Sequence, residues 1–317
     1  MARFHPGLQG RSMARTFSRI LLAYDDSTGS RIALEYACAL ARSGATLTVA
    51  HAVNESRIVA SMATPMGFAV DPSPLIEAVD EEANTTLSAA VEACAAHGVV
   101  AERVLLHESA ATGIVAFAKG NGTDLIVLGT HGRRGLARVL LGSVAEGVLR
   151  TSTLPVLVVT AQAKRPHAGR AFTRALVAVD DSDPSRRALS MAARFAAGLA
   201  TRLTLCSVVD SRDLLATATT YGYDATPFEV DMRTASSKLL ADAAATAGVD
   251  TVLDDSVVVE GEPAEAIQHT AAQRNCDFII LGSHGRRGLQ RLFLGSVAEA
   301  VIRSSVRPVL VTPAEPA

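Results

Sequence analysis

Short apolar runs alternate along the chain with longer segments whose apolar residues recur at helical spacing. Ile20–Tyr24 reads as a strand, and Arg31–Arg42, rich in Ala and Leu, reads as a helix. Thr46–Val53 is a second strand, and Leu75–His97 a long amphipathic helix stopped by Gly98. The pattern continues with a strand at Val99–Leu106, a helix at Ala110–Lys119, a strand at Leu125–Leu128, a helix at Ser143–Thr151 and a closing strand at Pro155–Val159. Strands that alternate with helices predict a parallel sheet covered on both faces. Runs such as LIVL (125–128) and FIIL (278–281) are apolar throughout, as strands buried on both faces should be. Right-handed crossovers would gather the strand C-termini on one edge, where open α/β sheets bind ligands. The stretches Asn54–Pro74 and Asp210–Pro227 read as long loops at that edge. They carry Met62, Met66 and Phe68, or Tyr221 and Tyr223, and suit lids or partner surfaces.

The pattern occurs twice. GTHGRRGLARVLLGSVAEGVLR begins at Gly129 and GSHGRRGLQRLFLGSVAEAVIR at Gly282, an offset of 153 residues. ILLAYDDS (20–27) and LVAVDDS (176–182) match in the same order. Ordered blocks at a fixed offset mark a duplicated domain. The expected organisation is a disordered tail at 1–16, a first domain at 17–160, a polar linker at 161–171 and a second domain at 172–314. Each half reads as an α/β unit with a five-stranded parallel sheet and helices on both faces, a Rossmann-like arrangement.

Composition narrows this picture. With 317 residues, each half is long enough to bury its own core. Hydrophobic residues make up 49% and aromatic residues only 4%, so the core must be aliphatic. A formal net charge of −2 provides no field for nucleic acid or an anionic membrane. No apolar run reaches the ~18 residues of a membrane span, and Met1–Ser18 lacks the apolar stretch of a secretory signal. Cys38, Cys94, Cys206 and Cys276 form no C-x-x-C pair and read as small buried hydrophobes. A cytoplasmic location is therefore expected.

The candidate chemistry lies in a glycine loop. Leu125–Gly129 ends a strand at the ligand edge, and the chain continues Gly129-x2-Gly132-x9-Gly142-Ser143 directly into a helix. The second half repeats it as Gly282-x2-Gly285-x9-Gly295-Ser296. Glycine lets a ligand approach the backbone, and a helix start offers free N–H donors and a positive dipole end that suit a phosphate. Ser143 and Ser296 can add a hydroxyl to that phosphate, or serve simply as N-caps. Both spacings survive in both halves while neighbouring positions differ, such as Ala137 against Gln290, which favours the ligand reading.

On these motifs the sequence resembles the universal stress protein family, in its tandem, ATP-binding form. The pattern G-x2-G-x9-G-S/T occurs in full in each half, between the fourth strand and the last helix. The resemblance implies an adenine site at the end of the first strand, from Ala23, Tyr24 and Asp25, and in the second half from Ala178, Val179 and Asp180. Ala52 and Val208, at the end of the second strand, would complete the adenine wall. Gly129, His131 and Gly132 would meet ribose and phosphates, and Gly142, Ser143 and Val144 would cradle the phosphates. Their counterparts are Gly282, His284, Gly285, Gly295, Ser296 and Val297. Tyr24 is bulkier and Ala52 smaller than is usual in the family, so the first site is expected to hold adenine more weakly, by ~1–2 kcal/mol. HESAATGI (107–114) replaces the more typical EGEPAEAI (260–267) and is expected to alter a loop only.

Other residues admit plainer readings. Arg133, Arg134, Arg286 and Arg287 can pair with phosphates or simply be solvated. His131 and His284 are placed for backbone binding rather than as bases. In Asp25-Asp26 and Asp180-Asp181, adjacent residues on an extended chain point to opposite faces, so only the first of each pair should face the site. Mg2+, if present, would be held through the nucleotide's phosphates, with no protein metal site. No G-x4-G-K-S/T, G-x-G-x-x-G after a first strand, G-x-S-x-G or H-E-x-x-H occurs. No catalytic residue is assigned. The expected function is that of a stress-response regulator binding ATP, ADP or AMP in each domain. The alternatives are a slow ATPase or autophosphorylating enzyme, and a scaffold with no nucleotide. Family dimers pair their last strands, so Pro155–Val159 and Pro308–Thr312 are expected to make an intramolecular pseudo-dimer, with a further homodimer of chains as an option.

Overall fold

The computed structural model describes residues 16–62, 71–130, 141–166, 171–221, 223–285 and 294–313. The first half runs β1 (Arg19–Ala23), α1 (Thr28–Ala41), β2 (Thr46–Ala52), α2 (Glu55–Met62), α3 (Ser73–Ala96), β3 (Ala101–Leu106), α4 (Ala110–Gly120), β4 (Leu125–Gly129), α5 (Ser143–Thr151) and β5 (Val156–Val159). The second runs β6 (Arg174–Ala178), α6 (Asp183–Leu199), β7 (Arg202–Val209), α7 (Arg212–Tyr221), α8 (Thr226–Ala247), β8 (Leu253–Glu260), α9 (Pro263–Gln273), β9 (Phe278–Gly282), α10 (Ser296–Ser304) and β10 (Val309–Thr312). The expected tail lies outside the described residues except for Thr16. That residue is buried, and its carbonyl accepts from Arg194, so the ordered fold reaches back to it.

The expected α/β architecture is present, with one enlargement. The strands form one ten-stranded sheet in the order β3-β2-β1-β4-β5-β10-β9-β6-β7-β8. Within each half every pairing is parallel. The halves join where β5 meets β10 antiparallel, with Leu157 opposite Leu310. The order is palindromic about this seam, so the halves are related by a local two-fold. All six paired residues, Val156–Val158 and Val309–Val311, are at most 2% exposed. The intramolecular pseudo-dimer is thus a continuous buried sheet. Among the described residues only β3 and β8 remain as edges, and Glu102, Arg103, Asp254 and Asp255 put charge on them, which discourages pairing with another chain.

Strand alternation divides the core. Ile20 and Leu22 face a layer with Leu34 of α1, Leu87 of α3, Phe195 of α6 and Leu240 of α8. Leu21 faces the opposite layer, with Ile114 of α4, Val148 of α5, Ile267 of α9 and Val301 of α10. Both layers run across the seam. An aromatic cluster lies there: Phe17 and Tyr36 of the first half meet Phe195 and Phe172 of the second with ring centroids 5.5 Å apart, and Phe172, Phe195 and Phe278 pack on one another at 4.9–5.3 Å. Tyr36 also donates its hydroxyl to the Lys164 carbonyl at 2.7 Å, and Thr160 donates to the Ser305 carbonyl at 2.9 Å. All four cysteines are buried and free.

Asn54–Pro74 and Asp210–Pro227 are not plain loops. They hold α2 and α7. These helices are only 8 and 10 residues long and low in apolar content, too short a stretch for the sequence pattern to set them apart from loop.

Candidate functional site

In each half the strand order reverses direction at the first strand: β1 lies between β2 and β4, and β6 between β7 and β9. Consecutive crossovers leave to opposite faces there, and the carboxyl ends of β1 and β4, or β6 and β9, border a crevice. The local sequence builds this edge twice. After β1 the chain turns sharply through Asp26 at φ +62°, and after β6 through Asp181 at φ +67°. Asp tolerates this left-handed region better than most residues. The turn sets Ser27 and Ser182 as N-caps of α1 and α6, where they accept from Ser30 N at 3.2 Å and Ser185 N at 3.3 Å.

The adjacent aspartates take different partners, because the second of each pair sits in the left-handed turn and not on extended strand. Asp26 holds Arg31 in a two-pronged pair at 2.7 and 2.8 Å, and Asp181 pairs with Arg186 at 2.9 Å. Asp25 and Asp180 instead stay at the strand end, each accepting from the backbone N–H two residues on at 3.1 Å. Asp180 also accepts from Ser182 Oγ at 2.6 Å.

The glycines have distinct tasks. A Cβ on Gly129 would lie 2.6 Å from Ser30 N and 2.7 Å from Gly29 C. On Gly282 it would lie 2.6 Å from Pro184 Cβ and 2.8 Å from Pro184 C. The first glycine of each pattern therefore lets the start of α1 or α6 close onto the end of β4 or β9. Gly285 lies over Asp180, whose Oδ2 a Cβ would approach to 2.6 Å. Gly142 donates its N–H to Thr130 O at 2.7 Å and Gly295 to Ser283 O at 2.8 Å, which pins each helix start to the strand end.

Gly142 and Gly295 are themselves the N-caps of α5 and α10, with extended backbone and no side-chain cap bond. Ser143 and Ser296 are thus the first helical residues and not caps. Both are exposed, as are Val144 and Val297 at 37% and 36%. These helix starts present N–H donors that no cap side chain occupies.

Ala23, Ala178 and Val208 contact the α4/α5 or α9/α10 layer, the face that carries the glycine-capped helices. Ala52 shares this face by the two-residue alternation of β2 and is half-buried. Tyr24 and Val179 point the other way, into the α1/α6 layer, at 7% and 5% exposure. The Tyr24 ring is therefore on the sheet face opposite α5, and its bulk does not narrow that wall. Its hydroxyl donates to Asp26 at 2.8 Å, and burial together with Asp26 raises its pKa to about 12.

Sequence reasoning missed His51. Its Nδ1 donates to the Tyr24 carbonyl at 2.7 Å, at the strand end of the first half only. Ser207, the residue before Val208, stands in its place in the second half. Its position just before Ala52 was the available signal. His284 lies beside Ser283, with Nδ1 3.0 Å from Ser283 Oγ. Its Nε2 is buried with no hydrogen-bond partner among the described residues, and burial lowers its pKa. His131, Gly132, Arg133, Arg134, Arg286 and Arg287 lie outside the described residues. No described helix is long and apolar enough to cross a membrane.

Fold and site together define a duplicated α/β protein with two switch-point crevices related by a local two-fold. The model of the universal stress protein family matches residues 16–160 and again 171–313, and the chain belongs to that family. Universal stress protein YxiE of Bacillus subtilis is 35% identical over 148 residues, covering 45% of this chain and 99% of its own. A universal stress protein of Mycolicibacterium smegmatis is 28% identical over 219 residues, covering 68% of this chain and 69% of its own. The crystal structure of a universal stress protein from Archaeoglobus fulgidus is similar with a TM-score of 0.68 and 25% identity, over 95% of this chain and 97% of that one.

Proposed function

We propose that each half binds an adenine nucleotide in its switch-point crevice and that occupancy regulates the protein in the stress response of the cell. The observation that carries this reading is the pair of glycine-capped helix starts, Gly142-Ser143-Val144 and Gly295-Ser296-Val297. Each combines helix-start N–H groups that no cap side chain occupies, an exposed hydroxyl and an exposed apolar side chain on one crevice. Phosphates would sit on the N–H groups, and the adenine against Ala23 and Ala52 or Ala178 and Val208. Asp25 and Asp180, at the ends of β1 and β6, are placed for the base or sugar. Gly129 and Gly282 would act indirectly, by holding the crevice walls together. ATP fits the phosphate-binding features, and Mg2+ would be held through its phosphates.

The test is to denature the purified chain and identify any released nucleotide by chromatography. Two ATP per chain, unchanged over hours, is the expected result. Accumulating ADP or AMP would favour the slow ATPase. A protein that neither retains nor takes up nucleotide would overturn the proposal and leave the scaffold reading. Replacing both Gly142 and Gly295 by Leu should abolish retention. At Gly295 even a Cβ would lie 3.0 Å from Ser283 O and 3.2 Å from His284 Cα, leaving no room for a longer side chain on that side.

A further inference from the structure

The first half carries a second cluster at the outer end of its sheet. His107 follows β3, Glu55 opens α2 and Asp80 lies in α3. One ligand atom from each lies within 4.8 Å of the others. His107 Nδ1 is 2.6 Å from Glu55 Oε1 and 3.8 Å from Asp80 Oδ1. We propose that these three residues form a binding site for a first-row divalent cation of the Zn2+ type, separate from the switch-point crevice.

Three observations carry it. The first is the donor set: one imidazole and two carboxylates from three different elements, all aimed at one point. Zn2+ binds such nitrogen and oxygen donors at about 2.0–2.2 Å, with a water completing an open site. Tetrahedral ligands then stand about 3.4 Å apart, so the short contact must open and the long one close by less than about 1 Å each.

The second observation is the state of Asp80. Its Oδ1 is fully removed from solvent, yet has no hydrogen-bond partner, and His107 at 3.8 Å is too far to supply one. A simple His–Glu surface pair does not account for this oxygen, whereas a cation between the three groups would satisfy it. Two carboxylates against one imidazole also leave excess negative charge in either imidazole form. Among the described residues no Arg or Lys is paired with Glu55 or Asp80.

The third is the internal comparison. Ala52 pairs with Leu106 and Val208 with Val259, so Glu260 occupies in the second half the place of His107. There Glu260 pairs with Arg233 of α8 at 2.5 Å, a self-neutralised contact with no need of a cation. The HESAATGI segment that departs from its repeat is thus the one that supplies the histidine. β3 stands two strands from β1, roughly 10 Å at ordinary strand spacing, which separates the cluster from the crevice. A bound ion would fasten α2 and α3 to the end of β3 in one half only.

The test uses the untagged full chain, freed of nucleotide and stripped with EDTA. Titration with Zn2+ by calorimetry, and with Co2+ by visible absorption, should show one site per chain with micromolar or tighter affinity. His107→Gln and Asp80→Asn should each weaken it at least 10-fold, while His269→Gln, on exposed α9, should not. Mg2+ in equal amount should not displace Co2+. Far-ultraviolet circular dichroism of each variant checks that the fold is kept, and Glu55→Gln provides a further variant at an exposed position. A wild-type chain that binds neither Zn2+ nor Co2+ would overturn the proposal. So would a site that survives intact in the folded His107→Gln variant.

Discussion

Gly282→Ala should destabilise the protein without any ligand present. The added Cβ would stand 2.6 Å from Pro184 Cβ, 2.8 Å from Pro184 C and 2.9 Å from Ser185 N. Two of these are backbone atoms, so no rotamer change relieves the overlap. Ordinary contact begins near 3.4 Å, and the start of α6 must therefore retreat from β9 by most of an ångström. Overpacking of this kind costs about 1–3 kcal/mol. The retreat also strains the bond from Thr312 Oγ1 to the Pro184 carbonyl, now 2.8 Å, and a lost hydrogen bond adds about 0.5–1.5 kcal/mol. Equilibrium unfolding in urea, followed by far-ultraviolet circular dichroism because the chain has no Trp, should show a total loss of about 1.5–4.5 kcal/mol. Gly129→Ala should behave alike, since its Cβ meets Ser30 N and Gly29 C just as closely. If either alanine variant matches the wild type within about 0.5 kcal/mol, the packing role of these glycines is wrong.

Phe172→Ala removes the ring that meets Tyr36 across the seam and Phe195 and Phe278 within its own half, and should cost about 3–5 kcal/mol in the same unfolding measurement. Tyr36→Phe keeps that ring contact but loses the 2.7 Å bond to the Lys164 carbonyl, for a smaller loss of about 0.5–1.5 kcal/mol. Burial raises the Cys206 thiol to about 12 and the Cys276 thiol to about 11, from an ordinary value of 9.0. A raised thiol pKa stabilises the fold fully below about pH 9, and this contribution should fade as pH rises through 11 and 12, measurable as a falling unfolding midpoint. At pH 8 the native protein should resist a thiol-disulfide reagent, and all four cysteines should react once it is unfolded.

The sequence by itself determined the class of fold, the duplication and the family. These depend on local information: apolar runs of strand length, helical periodicity, and glycine spacings repeated at one offset. The pairing of the closing strands came from the family resemblance, not from the pattern of residues itself. The tertiary structure decided matters that depend on direction and contact. Alternation along β1 turned the Tyr24 ring to the face opposite α5, although it stands beside Ala23 in sequence. Close approach assigned Gly129 and Gly282 to helix packing, a role their motif does not distinguish from ligand contact. Helices α2 and α7 span only 8 and 10 residues, about two to three turns, too few for a helical repeat to stand out from loop in the sequence. Glu55, Asp80 and His107 are scattered over more than fifty positions, and only the fold brings their ligand atoms together. Short-range pattern is written in neighbouring residues; the meeting of distant side chains depends on how three elements pack, which no local spacing records.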